Sequence, residues 1–228
     1  MDESTRHSEA REVELITDPG ELAKREALNG LKQFDAVVEM AEYFLQKEHP
    51  FKLRPSHLLR LHRYALEGIS IYAGTWRPSS IKIEGSLHEP VGAFQVPEMI
   101  EDMCDYINAH WIERSPVHLA SYVMWKLNWI HPFTDGNGRT SRAASYLILC
   151  IRTGYLLPGK LTIPDQIAQR KGPYYQALEN ADTAFKNGRI DLSEMEELLS
   201  SLLARQLMGV MADATGKGEG GEGPSSPI

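Results

Sequence analysis

Apolar residues recur at steps of three and four along most of this chain, and at a step of two in one short stretch only. Leu31, Phe34, Val38, Ala41 and Leu45 mark one face of a long helix from Glu21 to about Lys47. Asp18-Pro19-Gly20 opens it and His49-Pro50 closes it, because proline disfavours helix in the residue before it. Leu58, Leu61 and Ala65 form the apolar side of a second helix that starts at Pro55-Ser56 and stops at Gly68. Ile100, Met103 and Ile107 predict a helix from Pro97 to about Ile112, and Pro116 opens another that runs to Ile130. From Arg139 to about Ile151 the pattern is apolar on all sides, as in a central buried helix. Two more helices are predicted near Gln166–Phe185 and Leu192–Ala214.

The exception lies between Ala73 and Val96. Gly74, Pro78, Gly85, Pro90 and Gly92 punctuate it, and Ser80-Ile81-Lys82-Ile83-Glu84 alternates polar and apolar residues. That period predicts a short β-hairpin. The expected fold is therefore an all-α helical bundle with one inserted hairpin. It occupies residues 19–214, between a loosely ordered segment at 1–18 and a Gly/Ser/Pro-rich tail at 215–228.

Composition narrows the function. With 42% apolar and 24% charged residues, the chain can bury a full core without staples. Its two cysteines, Cys104 and Cys150, lie in apolar helical stretches without metal-ligand spacing, and read as buried thiols. A net charge of −7 and the lack of a basic run argue against nucleic-acid binding. No apolar run is long enough to span a bilayer and the N-terminus lacks a signal-peptide core, so a cytoplasmic protein without membrane partners is expected.

The chemistry is concentrated in His131-Pro132-Phe133-Thr134-Asp135-Gly136-Asn137-Gly138-Arg139-Thr140-Ser141-Arg142. Gly136 and Gly138 let the turn around Asn137 aim successive N–H groups at one point, and a helix mouth follows directly. Arg139 and Arg142, three residues apart, project from nearly the same face and can fork onto phosphate oxygens. Asp135 supplies a carboxylate, which suffices for a Mg²⁺ that also takes waters and phosphate oxygens. His131 ends the preceding helix and can accept a proton from a hydroxyl.

This stretch resembles the signature of the Fic (filamentation induced by cAMP) family, His-Pro-Phe-x-(Asp/Glu)-Gly-Asn-Gly-Arg-x-x-Arg, at every specified position. The helical pattern from Glu21 to about Ala181 is similar to the family's core, Gly74–Pro97 to its flap, and Tyr174-Tyr175-x-Ala177-Leu178 to an element after the signature. The resemblance implies a protein adenylyltransferase that moves AMP from ATP-Mg²⁺ onto a Ser, Thr or Tyr hydroxyl of a target, with removal of AMP left open. His131 then acts as base, and Asp135 holds the metal. Gly136, Asn137, Gly138, Arg139 and Arg142 bind phosphate, while Tyr175 and Asp182 stand near the adenine. Ser80, Ile81, Lys82, Ile83, Glu84 and Gly85 dock the target as an added strand. The first signature glycine is present at 136 and the loop has no lysine, unlike a kinase-like branch of the family.

The family's inhibitory pattern, (Ser/Thr)-x-x-x-Glu-(Gly/Asn), occurs at Ser80–Gly85, but within the expected hairpin. Inhibition by a partner in trans and a homo-oligomer both stay open. The alternative is a catalytically weak scaffold that binds nucleotide or a regulatory partner.

Overall fold

The protein was described from a computed structural model that covers residues 15–83 and 88–215. Its described residues form α1 (Pro19–Leu45), α2 (Pro55–Leu66), α3 (Val96–Ala109), α4 (Pro116–Ile130), α5 (Asn137–Thr153), α6 (Ile163–Gln169), α7 (Gly172–Lys186) and α8 (Ser193–Ala214). The helix starts follow local chemistry. Asp18 Oδ1 accepts the Glu21 N–H at 2.7 Å, Ser115 Oγ accepts that of His118 at 3.0 Å, and prolines occupy first-turn positions where no donor is missed.

Helices α4 and α5 pack along each other as the central pair. Helices α1 and α2 cover α5, α3, α7 and α8 cover α4, and α6 bridges α5 to α8. As the all-round apolar pattern of α5 predicts, Ala143 to Cys150 are buried without interruption. Each such fully buried aliphatic side chain contributes roughly 1.5–3 kcal/mol. The chemically active stretch joins the two innermost helices, so its ends are set by the best-packed part of the core. Cys104 and Cys150 are buried and free, and burial pushes their thiols up to about 12 and about 11. Among the described residues no helix is long and apolar enough to cross a membrane.

Several expectations need correction. The buried face of α1 is not centred on Leu31 and Phe34, which are 67% and 38% exposed. It runs through Asn29, Gln33, Ala36, Val37, Met40 and Ala41 instead. The two polar members are accepted inside because their amides donate to α2 carbonyls, Gln33 to Leu61 at 3.0 Å and Asn29 to Glu67 at 2.9 Å. The single helix expected near Gln166–Phe185 is two. It breaks at Arg170 and Lys171, before Gly172-Pro173 starts α7, because proline cannot continue the donor ladder of a preceding helix. Helix α5 begins at Asn137 rather than Arg139, because Gly136, at φ +76°, turns the chain straight into it.

No β-strand occurs among the described residues, which are helical or irregular throughout. Residues 73–83 and 88–92 form turns and extended chain, followed by a short 3-10 turn at Ala93–Gln95. Glu84 and Gly85, at the tip of the expected hairpin, lie outside the described residues, as does most of 1–18 and 215–228.

Candidate active site

The loop between α4 and α5 holds its shape through its own side chains. Asn137 is buried, and its amide closes on Phe133 twice: Oδ1 accepts the Phe133 N–H at 3.0 Å, and Nδ2 donates to the Phe133 carbonyl at 2.9 Å. The Asn137 side chain is therefore committed to the loop, and only its backbone N–H is left for a ligand. A Cβ on Gly136 would sit 2.4 Å from Leu66 Cδ2, so glycine is required by space as well as by φ. The N–H groups of Asn137, Gly138 and Arg139 form the first turn of α5 and have no partner within the helix. They make the donor cluster, and the positive end of the helix dipole, that the sequence pattern implies.

The two arginines part company. Arg139 turns to Asp135 Oδ2 at 2.7 Å and to Glu26 Oε1 at 3.1 Å. Arg142 folds back so that its Nη1 lies 3.1 Å from where a Gly138 Cβ would be, beside the first turn of α5. Arg142, not Arg139, lines the cavity of about 440 Å³ that also holds His131, Gly138, Tyr175 and Asp182. The expectation that both guanidinium groups share one face holds only for a second cavity beside α1, which both line.

His131 caps α4 in the left-handed region, at φ 51° and ψ 60°, and it is the one described residue other than glycine with positive φ. Its Nδ1 lies 3.2 Å from the Asn128 carbonyl, which can only accept. The proton is therefore assigned to Nδ1, and Nε2 keeps its lone pair. Burial, with the Arg77 and His88 charges adding to it, holds the imidazole down to about 4, against the Asn128 hydrogen bond and Asp135. His131 is neutral at physiological pH and can take up a proton.

Behind the loop stand residues that sequence reasoning passed over. His62, fully buried on α2, accepts the Gly74 N–H on Nδ1 at 2.9 Å, so Nε2 carries the proton and donates to the Asp135 carbonyl at 3.0 Å. Its ring stacks on Phe133 with centroids 3.7 Å apart. Asn128 Nδ2 lies 2.7 Å from Ser141 Oγ and 2.8 Å from Tyr174 Oη, which ties α4, α5 and α7 together beneath the cavity. Arg77, in the connection after α2, is 2% exposed and donates to the His131 carbonyl at 2.7 Å. Helical period offered the one usable signal, since His62 follows Leu58 on the apolar face of α2.

Other expected site residues are brought to the same place. Tyr175 is half exposed on the cavity wall, and Asp182 lies deeper, accepting the Trp125 indole N–H at 2.8 Å. Burial raises the Asp182 carboxyl above its ordinary range. Of the expected docking residues, Ile83 lines the cavity, while Ser80, Ile81 and Lys82 run beside it in the chain as irregular backbone.

Asp135 is the sole carboxylate in the loop, and no cluster of three metal-ligating side chains occurs among the described residues. Its Oδ1 accepts the Gly136 N–H at 2.5 Å, and Oδ2 takes Arg139. One exposed carboxylate fits a Mg²⁺ that arrives with phosphates and keeps its waters, and does not fit a preformed metal cage.

These features define a helical protein with a turn of backbone N–H donors at a helix mouth and a neutral imidazole beside it. Residues 50–149 match the model of the Fic/DOC family. A protein adenylyltransferase Fic of Drosophila persimilis is 34% identical over 127 residues, covering 55% of this chain and 23% of that protein. The protein adenylyltransferase fic-1 of Caenorhabditis elegans is 30% identical over 143 residues, covering 60% of this chain and 26% of its own. The chain thus spans about a quarter of the length of the curated relatives it matches. A solved Fic-1 fragment from C. elegans superposes with a TM-score of 0.65 at 24% identity, over 88% of this chain and 56% of that one. The BepC protein of Bartonella tribocorum, solved with bound AMPPNP, shares the fold at a TM-score of 0.52 and 18% identity, over 82% of this chain and 88% of its own.

Proposed function

We propose that the protein is an adenylyltransferase that moves AMP from ATP to a hydroxyl side chain of another protein. The observation that carries this reading is the pairing of two things in one cavity: a neutral His131 with a free Nε2, and Arg142 beside the first turn of α5. The relatives named as adenylyltransferases support it.

In this reading the N–H groups at the start of α5 and the Arg142 fork hold the triphosphate of ATP. Tyr175 and Asp182 flank the base. Asp135 would hold Mg²⁺, which would neutralise phosphate charge. The chain Ser80–Gly85 receives an extended target segment by strand addition. Nε2 of His131 accepts the proton of the target Ser, Thr or Tyr hydroxyl as its oxygen attacks the α-phosphorus in line. Pyrophosphate departs, and the target carries a phosphodiester-linked AMP. Positioning and fixed dipoles supply most of the rate, and the base contributes about 10²–10⁴-fold.

Incubation with α-labelled ATP, Mg²⁺ and cell lysate tests this. Label is expected on protein bands and is expected to fall by about 10²-fold or more in His131→Ala. A mutant that labels as well as the parent removes His131 from its role. ATP bound tightly with no label transferred favours a nucleotide-binding scaffold instead.

A further inference from the structure

The connection from α2 to α3 is anchored by a buried side chain that the transfer chemistry above leaves unused. Arg77 has no regular secondary structure around it, yet only 2% of its surface is exposed. Every hydrogen bond from its guanidinium among the described residues ends on a backbone carbonyl. Nε donates to His131 at 2.7 Å, Nη1 donates to Ser79 at 2.9 Å, and Nη2 donates to Val91. Its own N–H donates to the Pro132 carbonyl at 2.9 Å. Ser79 and Val91 bracket the proposed docking residues, one on each side in the chain. His131 is the left-handed residue that carries the proton acceptor.

From this geometry we propose that Arg77 is a positioning residue that fixes the two stems of the docking segment against the backbone of His131. The inference rests on the transferase reading. A rigid planar fork is what three diverging carbonyls require, since its donors hold fixed angles to one another. Without it, the carbonyls of His131, Ser79 and Val91 lose these donors, and His131 loses a side-chain tie to the α2–α3 connection while it holds a conformation that a non-glycine residue avoids.

The charge has a second effect. Arg77 faces His131 along with His88 and Asp135, and Arg142, Glu179 and Asp182 line the same cavity. Arg77 and His88 disfavour the imidazolium, and Asp135 favours it. Loss of the guanidinium should therefore let His131 protonate at higher pH.

Wild type, Arg77→Lys and Arg77→Met separate this role from simple scaffolding. Three readouts are taken: His131 titration by NMR, ATP affinity by calorimetry, and label transfer at saturating ATP. In Arg77→Met, transfer is expected to fall at least about tenfold with ATP affinity nearly unchanged, a loss confined to the bound complex. The proton affinity of His131 is expected to rise about tenfold. Arg77→Lys keeps the charge and loses the fork, so its titration should stay near the parent's while transfer still falls. Should Arg77→Met fail to fold, the lysine variant decides by that same split. Unchanged transfer in Arg77→Lys, or ATP affinity falling in step with transfer, overturns the proposal. A parent protein that transfers no label defeats the transferase reading alone, and the His131 titration in Arg77→Met then decides whether Arg77 acts on it.

Discussion

The two sides of the cavity are held in opposite ways. The loop from His131 to Arg142 is pinned by neighbours in the chain and by the face of α2: Asn137 clamps Phe133, His62 holds the Asp135 carbonyl, and Leu66 closes on Gly136. The segment opposite, described over 73–83 and 88–92, has neither helix nor strand there and is tied by side chains that reach across. Arg77 reaches His131, and His88 Nε2 donates to the Trp129 carbonyl at 2.6 Å. The contrast has a physical logic. Donors that must meet a phosphate are useful only if fixed beforehand. In the proposed reading, a segment that a partner completes as a strand need only have its ends held.

The contrast breaks most readily at Gly136. In Gly136→Ala, a left-handed alanine must also push Leu66 aside. A loss of about 2–4 kcal/mol is expected in denaturant titration, with label transfer abolished. Near-wild-type stability would show that the loop yields easily.

A somewhat smaller effect concerns pH. Burial holds His62 down to about 4 from 6.5. Between those values the unfolded chain binds a proton that the folded one refuses, so stability falls as pH falls through that window. For His62 alone the loss by pH 4 is about 3 kcal/mol at most. Unfolding midpoints at pH 7 and pH 4.5 should show it, and His62→Gln should flatten the difference in part.

The arginines give the finest distinction. Arg142→Ala is expected to weaken ATP binding by about 10–100-fold with little change in melting temperature, since in the proposed reading Arg142 serves ligand and not core. Arg139→Ala removes exposed ion pairs and should cost under about 1 kcal/mol in stability. Equal effects of the two substitutions on ATP affinity would contradict the divergence of their side chains.

Much of the site was legible because its chemistry is local. The glycines, the helix mouth, Asp135 and His131 lie within one short stretch, and spacing alone implied a phosphate-binding turn beside a base. The central helices were legible from their apolar period. The clamp of the Asn137 amide on Phe133 was not legible, since spacing alone does not say where a polar side chain between two glycines finds its partners. The face of α1 was misplaced because Asn29 and Gln33 count as polar in any pattern. Their partners lie on α2, far along the chain.

The sequence by itself determined which residues could do chemistry and where helices run, because capping, proline placement and apolar period act over a few residues. Only the tertiary structure decided which of those residues face one another. It sent Arg142 to the cavity beside Gly138 and Arg139 to Asp135, put His62 and Arg77 behind the loop, and exposed Leu31 while burying Gln33. Such choices depend on hydrogen-bond partners and packing surfaces that come together only when distant segments fold, and no local pattern records them.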